Sequence, residues 1–250
     1  MSLEQHKQDW ERLAEVDPLW AVLTAPDQKG GAWDVDAFFA TGEAEIAHVS
    51  SVLNGLGRPS ALTGRALDFG CGVGRLTRAL GSRYELAVGV DISEAMVAQA
   101  RRLNESFPRC EFRVNAAPDL GQFETDSFDF VYSSIVLQHV PSAAEIERYV
   151  TEFLRLARPK GLVVFGIPRH ISFPYSLQPR RRLYGLLRRL GVSEEWMLRR
   201  TPLTPMRMTV VTEAAVRRLL EEQGATLLHA EPIDDGPVRG LRYYVGLSER

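Results

Sequence analysis

Cysteine is scarce in this 250-residue chain: Cys71 and Cys110 stand far apart, in no Cys-x-x-Cys spacing. That excludes a disulfide framework and a structural zinc site and suits a reducing compartment. Long hydrophobic runs are also missing, and none approaches the ~20 residues a membrane span needs. The start, Met1-Ser-Leu-Glu-Gln-His-Lys, lacks the basic residues and apolar core of an export signal, so the expectation is a soluble, cytoplasmic protein. Excess charge of one sign is absent too. With 30 basic and 32 acidic residues the formal net charge is −2, which gives no global pull towards nucleic acid or an anionic surface. There is no internal repeat or low-complexity tract. What remains is 45% hydrophobic content, enough for one large domain or a domain with a cap.

The most informative stretch is Ala66-Leu67-Asp68-Phe69-Gly70-Cys71-Gly72-Val73-Gly74-Arg75-Leu76-Thr77-Arg78-Ala79-Leu80. It reads as a short apolar strand, three glycines on alternate positions, and a helix with Leu76, Ala79 and Leu80 on its apolar face. Glycines so placed serve unusual dihedrals, close packing, or a ligand that approaches the backbone too closely for a Cβ. The helix start behind them favours an anionic group. A second buried strand, Leu86-Ala87-Val88-Gly89-Val90-Asp91, then ends in an acid suited to both hydroxyls of a ribose.

Dinucleotide oxidoreductases share that acid, but their fingerprint puts the third glycine where Arg75 stands here. The pattern Asp-x-Gly-x-Gly-x-Gly from Asp68 to Gly74, followed by Asp91-Ile92-Ser93-x-x-Met96, instead resembles the class I S-adenosylmethionine-dependent methyltransferases. The resemblance is specific over 65–101 and looser over most of 60–250. It implies an α/β, Rossmann-like, seven-stranded, mostly parallel sheet with an antiparallel last strand, helices on both faces, and S-adenosyl-L-methionine as cofactor.

In that scheme Asp91 binds the ribose, and the loop of Gly70, Cys71, Gly72 and Gly74 holds the methionine portion. Its ammonium meets carbonyls near Gly70 or Ser133, while Arg75 meets its carboxylate or points to solvent. Asp68 fixes the loop. Ile92 and Met96 either enclose the adenine or belong to the core. The adenine-binding acid that the family often has would fall at Ala116, which leaves the backbone at Ala117, or Asn115 or Asp119, for that contact. Ligands collect at the carboxyl ends of parallel strands, which places Ser133 to His139 at the transferring methyl. His139 is the first candidate for a general base and His170 the second; a structural or cofactor-positioning duty for His139 is equally open.

Five further strands are expected, at Glu111–Val114, Ser127–Ser134, Leu162–Ile167, Ala225–Ala230 and Leu241–Leu247. The turn-rich Pro232–Pro237 joins the final pair. Ser93, Ser142 and Thr212 read as helix caps, with Ser142-Ala-Ala-Glu145 a capping box.

Residues 1–60 read as an N-terminal helical layer on the domain of residues 61–250. Ser2 caps a first helix that Asp17-Pro18 stops, and another helix runs from Thr41 to about Asn54. Trp10, Trp20, Trp33, Phe38 and Phe39 either pack on the main domain or belong to a lid. Residues 168–208 form an insertion with nine arginines and two acids. Leu183, Leu186, Leu187 and Leu190 are its expected apolar face. Its arginines either are solvated or cap the strand ends and greet an acidic substrate.

The expected activity is methyl transfer to an O or N nucleophile of a small, acidic molecule. A regulator or scaffold that binds the cofactor without turnover, and an enzyme acting on RNA or peptide, remain alternatives. Sparse aromatics in the basic insertion disfavour nucleic acid, and the oligomeric state stays open.

Overall fold

The computed structural model describes residues 3–58 and 64–248, so the Ser2 cap and the boundary expected at 60/61 lie outside the described residues. Helix α1 (Leu3–Val16) stops at Asp17-Pro18, and α2 (Pro18–Val22) follows. The Asp17 carboxylate caps α2 through Trp20 N–H at 3.3 Å. It also takes the Gly30 and Gly31 N–H groups at 2.7 and 3.0 Å, tying down the loop after α2. Helix α3 (Val35–Gly55) begins earlier than the expected Thr41. Asp34 is the true cap, with its carboxylate accepting Ala37 N–H at 2.8 Å.

Strand β1 (Arg65–Phe69) leads through the glycine bend to α4 (Arg75–Gly81), then β2 (Leu86–Asp91) and α5 (Glu94–Leu103). Next come β3 (Cys110–Val114), β4 (Phe128–Ser133) and α6 (Ala143–Leu156). The long β5 (Ala157–Ile171) is followed by α7 (Pro179–Arg189), α8 (Glu194–Arg200) and α9 (Glu213–Glu222). The hairpin of β6 (Thr226–Asp235) and β7 (Val238–Gly246) closes the fold. Ser93, Ser142 and Thr212 each accept the expected backbone N–H and cap α5, α6 and α9.

The seven strands lie in the order β3-β2-β1-β4-β5-β7-β6, with β7 antiparallel to both neighbours. Their order reverses between β1 and β4, which pair in parallel, and this crevice at the carboxyl ends is where ligands gather. Period-two alternation divides the core. Leu67, Val88, Val131 and Val163 pack under α6 and α9, whereas Ala66, Ala87, Phe130 and Val164 pack under α3 and α4.

Two expectations about the C-terminal half need correction. The turn over Pro232–Pro237 shrinks to Gly236-Pro237, because β6 continues through Pro232 to Asp235. An edge strand tolerates a proline that cannot donate to a neighbour. On α7, Leu183, Leu186 and Leu190 face solvent, while Tyr184 is buried and Leu187 half-buried against the N-terminal helices. The expected apolar face is therefore mostly the outer one.

Candidate active site

The bend after β1 turns through Gly70 and Gly72, whose φ values of 74° and 51° no ordinary side chain adopts cheaply. A Cβ at Gly70 would strike Val136, and one at Gly72 would strike Val22 of α2. Both glycines line a cleft of about 970 Å³ together with Asp91, Ile92 and Met96.

Asp91 ends β2 inside this cleft. One of its oxygens accepts Gly72 N–H and the other Ser93 N–H, both at 2.9 Å. A carboxylate has about four acceptor sites, so each oxygen retains capacity for a ligand hydroxyl. Burial raises this carboxyl to about 6, against the pull of those two backbone bonds. Asp68, 1% exposed behind the bend, takes the Thr77 hydroxyl at 2.6 Å on Oδ2. Its Oδ1 has no hydrogen-bond partner, and burial lifts the carboxyl to about 7. A carboxylate with spare lone pairs and apolar Val90, Ile92 and Met96 alongside fit the ribose and adenine of S-adenosylmethionine, and the orphaned Oδ1 of Asp68, which stands outside the cleft lining, suits its ammonium.

Histidines and aromatics line the other end of the cleft. His139 and His6 both open into it. His139 Nδ1 lies 2.7 Å from the Arg207 carbonyl, which only accepts, so the proton sits on Nδ1 and the Nε2 lone pair accepts the Gln138 side-chain amide at a long 3.3 Å. Burial lowers His139 to about 4. His6 also falls to about 4, through burial first and then the charges of His139 and Arg207. The Trp10 ring meets the His139 ring edge to face at 5.3 Å. Tyr149, tilted over Phe69 at 4.6 Å, lines the wall nearby.

Helix α1 is held over this cleft by one carboxylate. Glu11 accepts Glu94 N–H at 2.6 Å and Ala95 N–H at 3.0 Å, at the positive end of α5, and the Ser93 hydroxyl at 2.9 Å. Lys7 adds an ion pair to Glu94 at 2.7 Å.

The cleft brings together Gly70, Cys71, Gly72, Arg75, Asp91, Ile92, Met96 and His139 from the expected residues. Arg75 is 3% exposed and ion-paired to Glu45 of α3 at 2.8 Å. Gly74 turns its α-carbon towards Asn104 and Phe112 at the back of the bend. Ser133 is buried with its hydroxyl on the Phe69 carbonyl at 3.1 Å. Asn115 reaches the cleft, whereas Ala117 and Asp119 sit exposed outside its lining. His170 is an exposed residue within β5, also outside it.

Of the cleft residues, His6 escapes the sequence reading, whereas Trp10 belongs to the aromatics expected to pack or form a lid and Ile135 to the stretch from Ser133 to His139 expected at the methyl. His6 and Trp10 stand four apart on α1 and share a face, a spacing the sequence does display. Ile135, 40% exposed with φ 63°, holds a strained backbone for a β-branched residue just beyond β4, and no local signal announces it.

Residues 67–165 match the family model described as a methyltransferase domain. A ubiquinone biosynthesis O-methyltransferase from Methylococcus capsulatus is 30% identical over 213 residues, 83% of this chain and 81% of that protein. Among solved structures, magnesium protoporphyrin IX methyltransferase from Synechocystis PCC 6803 with bound S-adenosylmethionine superposes with a TM-score of 0.63 at 18% identity, covering 98% of this chain and 97% of that one. An N-methyltransferase from Bradyrhizobium japonicum WM9 in complex with S-adenosylhomocysteine gives 0.61 at 16% identity, covering 98% and 99%. Glycine bend, acid-terminated second strand, strand order and relatives agree: the chain belongs to the class I S-adenosylmethionine-dependent methyltransferases.

Proposed function

We propose that this enzyme methylates an oxygen or nitrogen nucleophile of a small, acidic molecule held between His139, Trp10 and Tyr149. The observation that carries the reading is His139. Its Nδ1–H is committed to the Arg207 carbonyl, and its ring lines the same cleft as Asp91 with an Nε2 lone pair held only by the 3.3 Å contact from the Gln138 amide.

When bound, S-adenosylmethionine supplies a methyl group on a sulfonium that leaves as a neutral thioether. Asp91 holds the ribose hydroxyls, Ile92 and Met96 flank the adenine, and the bend of Gly70, Cys71 and Gly72 carries the methionine portion. Asp68, with its free Oδ1, answers the ammonium. Gly74, Arg75 and Ser133 shape this half from behind, Arg75 through Glu45 and Ser133 through the Phe69 carbonyl. Asn115, which lines the cleft where Ala117 does not, is the residue left for the adenine edge. Such alignment of nucleophile and methyl is worth about 7–11 kcal/mol of barrier.

At the acceptor end His139 is neutral at pH 7, and its Nε2 exchanges the long Gln138 amide contact for a hydrogen bond from the nucleophile's O–H or N–H, orienting the nucleophile's lone pair. The Arg207 charge acts on this end, as its effect on His6 indicates, and Arg207 has no acidic partner among the described residues. A cation beside the acceptor favours an anionic substrate and lowers the pKa of an acidic O–H, which suits so weak a base. The Methylococcus relative, an O-methyltransferase by name, supports oxygen as the acceptor atom. Helices α1 and α2 serve as the lid, latched by Glu11.

The test is a tritium-transfer assay with labelled S-adenosylmethionine against phenolic acids, neutral phenols and primary amines. Label transfer preferring acidic phenols supports the reading. Preference for uncharged acceptors overturns the acidic substrate class, and binding without transfer to any acceptor favours a scaffold.

A further inference from the structure

Seven of the eleven exposed large hydrophobic side chains among the described residues fall between 173 and 196, including Phe173 at 79% and Leu190 at 70% exposure. They cluster on the cap, the part of the chain richest in arginine. Helix α7 anchors itself inward through Tyr184, whose hydroxyl bonds Glu194 at 2.7 Å, and through Arg188, which pairs with Asp9 and Glu194. At 3.6 residues per turn, Leu183, Leu186 and Leu190 then fall within an arc of roughly 60° on the outside. Arg182 and Arg189 project beside that stripe, both exposed and without an acidic partner among the described residues. Trp196 lies exposed on the adjoining α8.

An apolar stripe bordered by unpaired guanidinium groups is the pattern of a helix that lies in a membrane interface, with leucines in the acyl boundary and arginines at the headgroups. No helix among the described residues is long and apolar enough to cross a membrane, so the mode is surface docking. We propose that the outer face of the cap, centred on α7, docks the enzyme on an anionic bilayer.

Two other occupants fit less well. Residues 173–200 carry seven arginines against two glutamates, so two copies meeting through this face bring like charges together. RNA would use the arginines and the exposed Phe173, Tyr175 and Trp196, but it leaves the stripe of Leu183, Leu186 and Leu190 in water. The docking does not depend on which acceptor is methylated.

The experiment is co-sedimentation of the full chain with vesicles of phosphatidylcholine alone and with added phosphatidylglycerol, at low and high salt. The expected result is pelleting with phosphatidylglycerol vesicles only, weakened by salt. The triple variant Leu183→Ser, Leu186→Ser, Leu190→Ser should abolish it. Arg182→Gln with Arg189→Gln should weaken it about thirtyfold, from roughly fivefold per cation near the surface. Both variants should keep the wild-type unfolding temperature and S-adenosylhomocysteine affinity, since these side chains lie outside the cleft. The proposal is overturned if the chain ignores anionic vesicles or if the leucine variant binds them like wild type. It is also overturned if wild type is a dimer that the leucine variant splits without any vesicle association.

Discussion

The Asp91 carboxylate accepts the Gly72 N–H at 2.9 Å, joining the acid at the end of one strand to the middle of the glycine bend after its neighbour. The bond fixes the bend and aims the carboxylate in one stroke. It also places a charge where burial opposes it, which makes the site sensitive to pH.

Cofactor binding should weaken in acid. Burial raises Asp91 to about 6 and Asp68 to about 7, and both serve the cofactor best as anions. Below those values each carboxyl must first give up a proton. Affinity for S-adenosylhomocysteine should therefore fall at least about tenfold between pH 8 and pH 5. Calorimetry across that range checks this, and a flat profile would mean that neither group faces the ligand as an anion.

The ligand-free protein should gain stability from Asp68→Asn, but only at higher pH. A carboxyl with folded pKa raised from 3.8 to about 7 binds its proton more tightly when folded. Its contribution is intact below about pH 4 and is lost as pH rises through 7. The amide keeps the shape and a partner for Thr77 while removing the buried charge. Thermal unfolding should show a gain on the order of 3 kcal/mol at pH 8 and almost none at pH 4. His6 and His139, both lowered, slope the other way but are the same in both proteins, so the difference isolates Asp68. Equal effects at both pH values would contradict the assignment.

Removing the His139 side chain should separate chemistry from binding. His139→Ala is expected to slow turnover by about 10²–10⁴. Affinity for S-adenosylhomocysteine should stay within about twofold. Because burial holds this imidazole near 4, the wild-type rate should show no histidine ionisation between pH 6 and pH 9. Full turnover in the variant would reduce His139 to a wall residue.

Glu11 should control the N-terminal helices. Glu11→Ala leaves the Glu94 and Ala95 N–H groups without their carboxylate, at a cost of about 0.5–2 kcal/mol typical of helix caps. Hydrogen exchange of those two amides and of α1 should accelerate, and cofactor should dissociate several-fold faster. Unchanged exchange in α1 would show that its apolar contacts alone hold it down.

Much of this architecture can be read locally. The glycine bend, Asp91 at a strand end, and caps at Ser93, Ser142 and Thr212 each declare themselves within a few residues, because dihedral and capping requirements are local. What escapes the sequence is decided at a distance. Asp34 rather than Thr41 starts α3, and Arg75 finds Glu45 thirty residues upstream. His6 meets the cleft only because Glu11 docks α1 on α5. The leucines of α7 obey helical periodicity, which fixes a face but not its direction. Tyr184 took the inside, and the leucines were left outside.

The most direct measurement is calorimetric titration of S-adenosylhomocysteine into wild-type protein and into Asp91→Ala, with circular dichroism to confirm that both are folded. The account predicts binding to wild type and a loss of roughly a hundredfold in the variant, as expected when a charged acceptor is removed. Equal affinity in the two proteins would contradict the claim that this carboxylate grips the nucleoside.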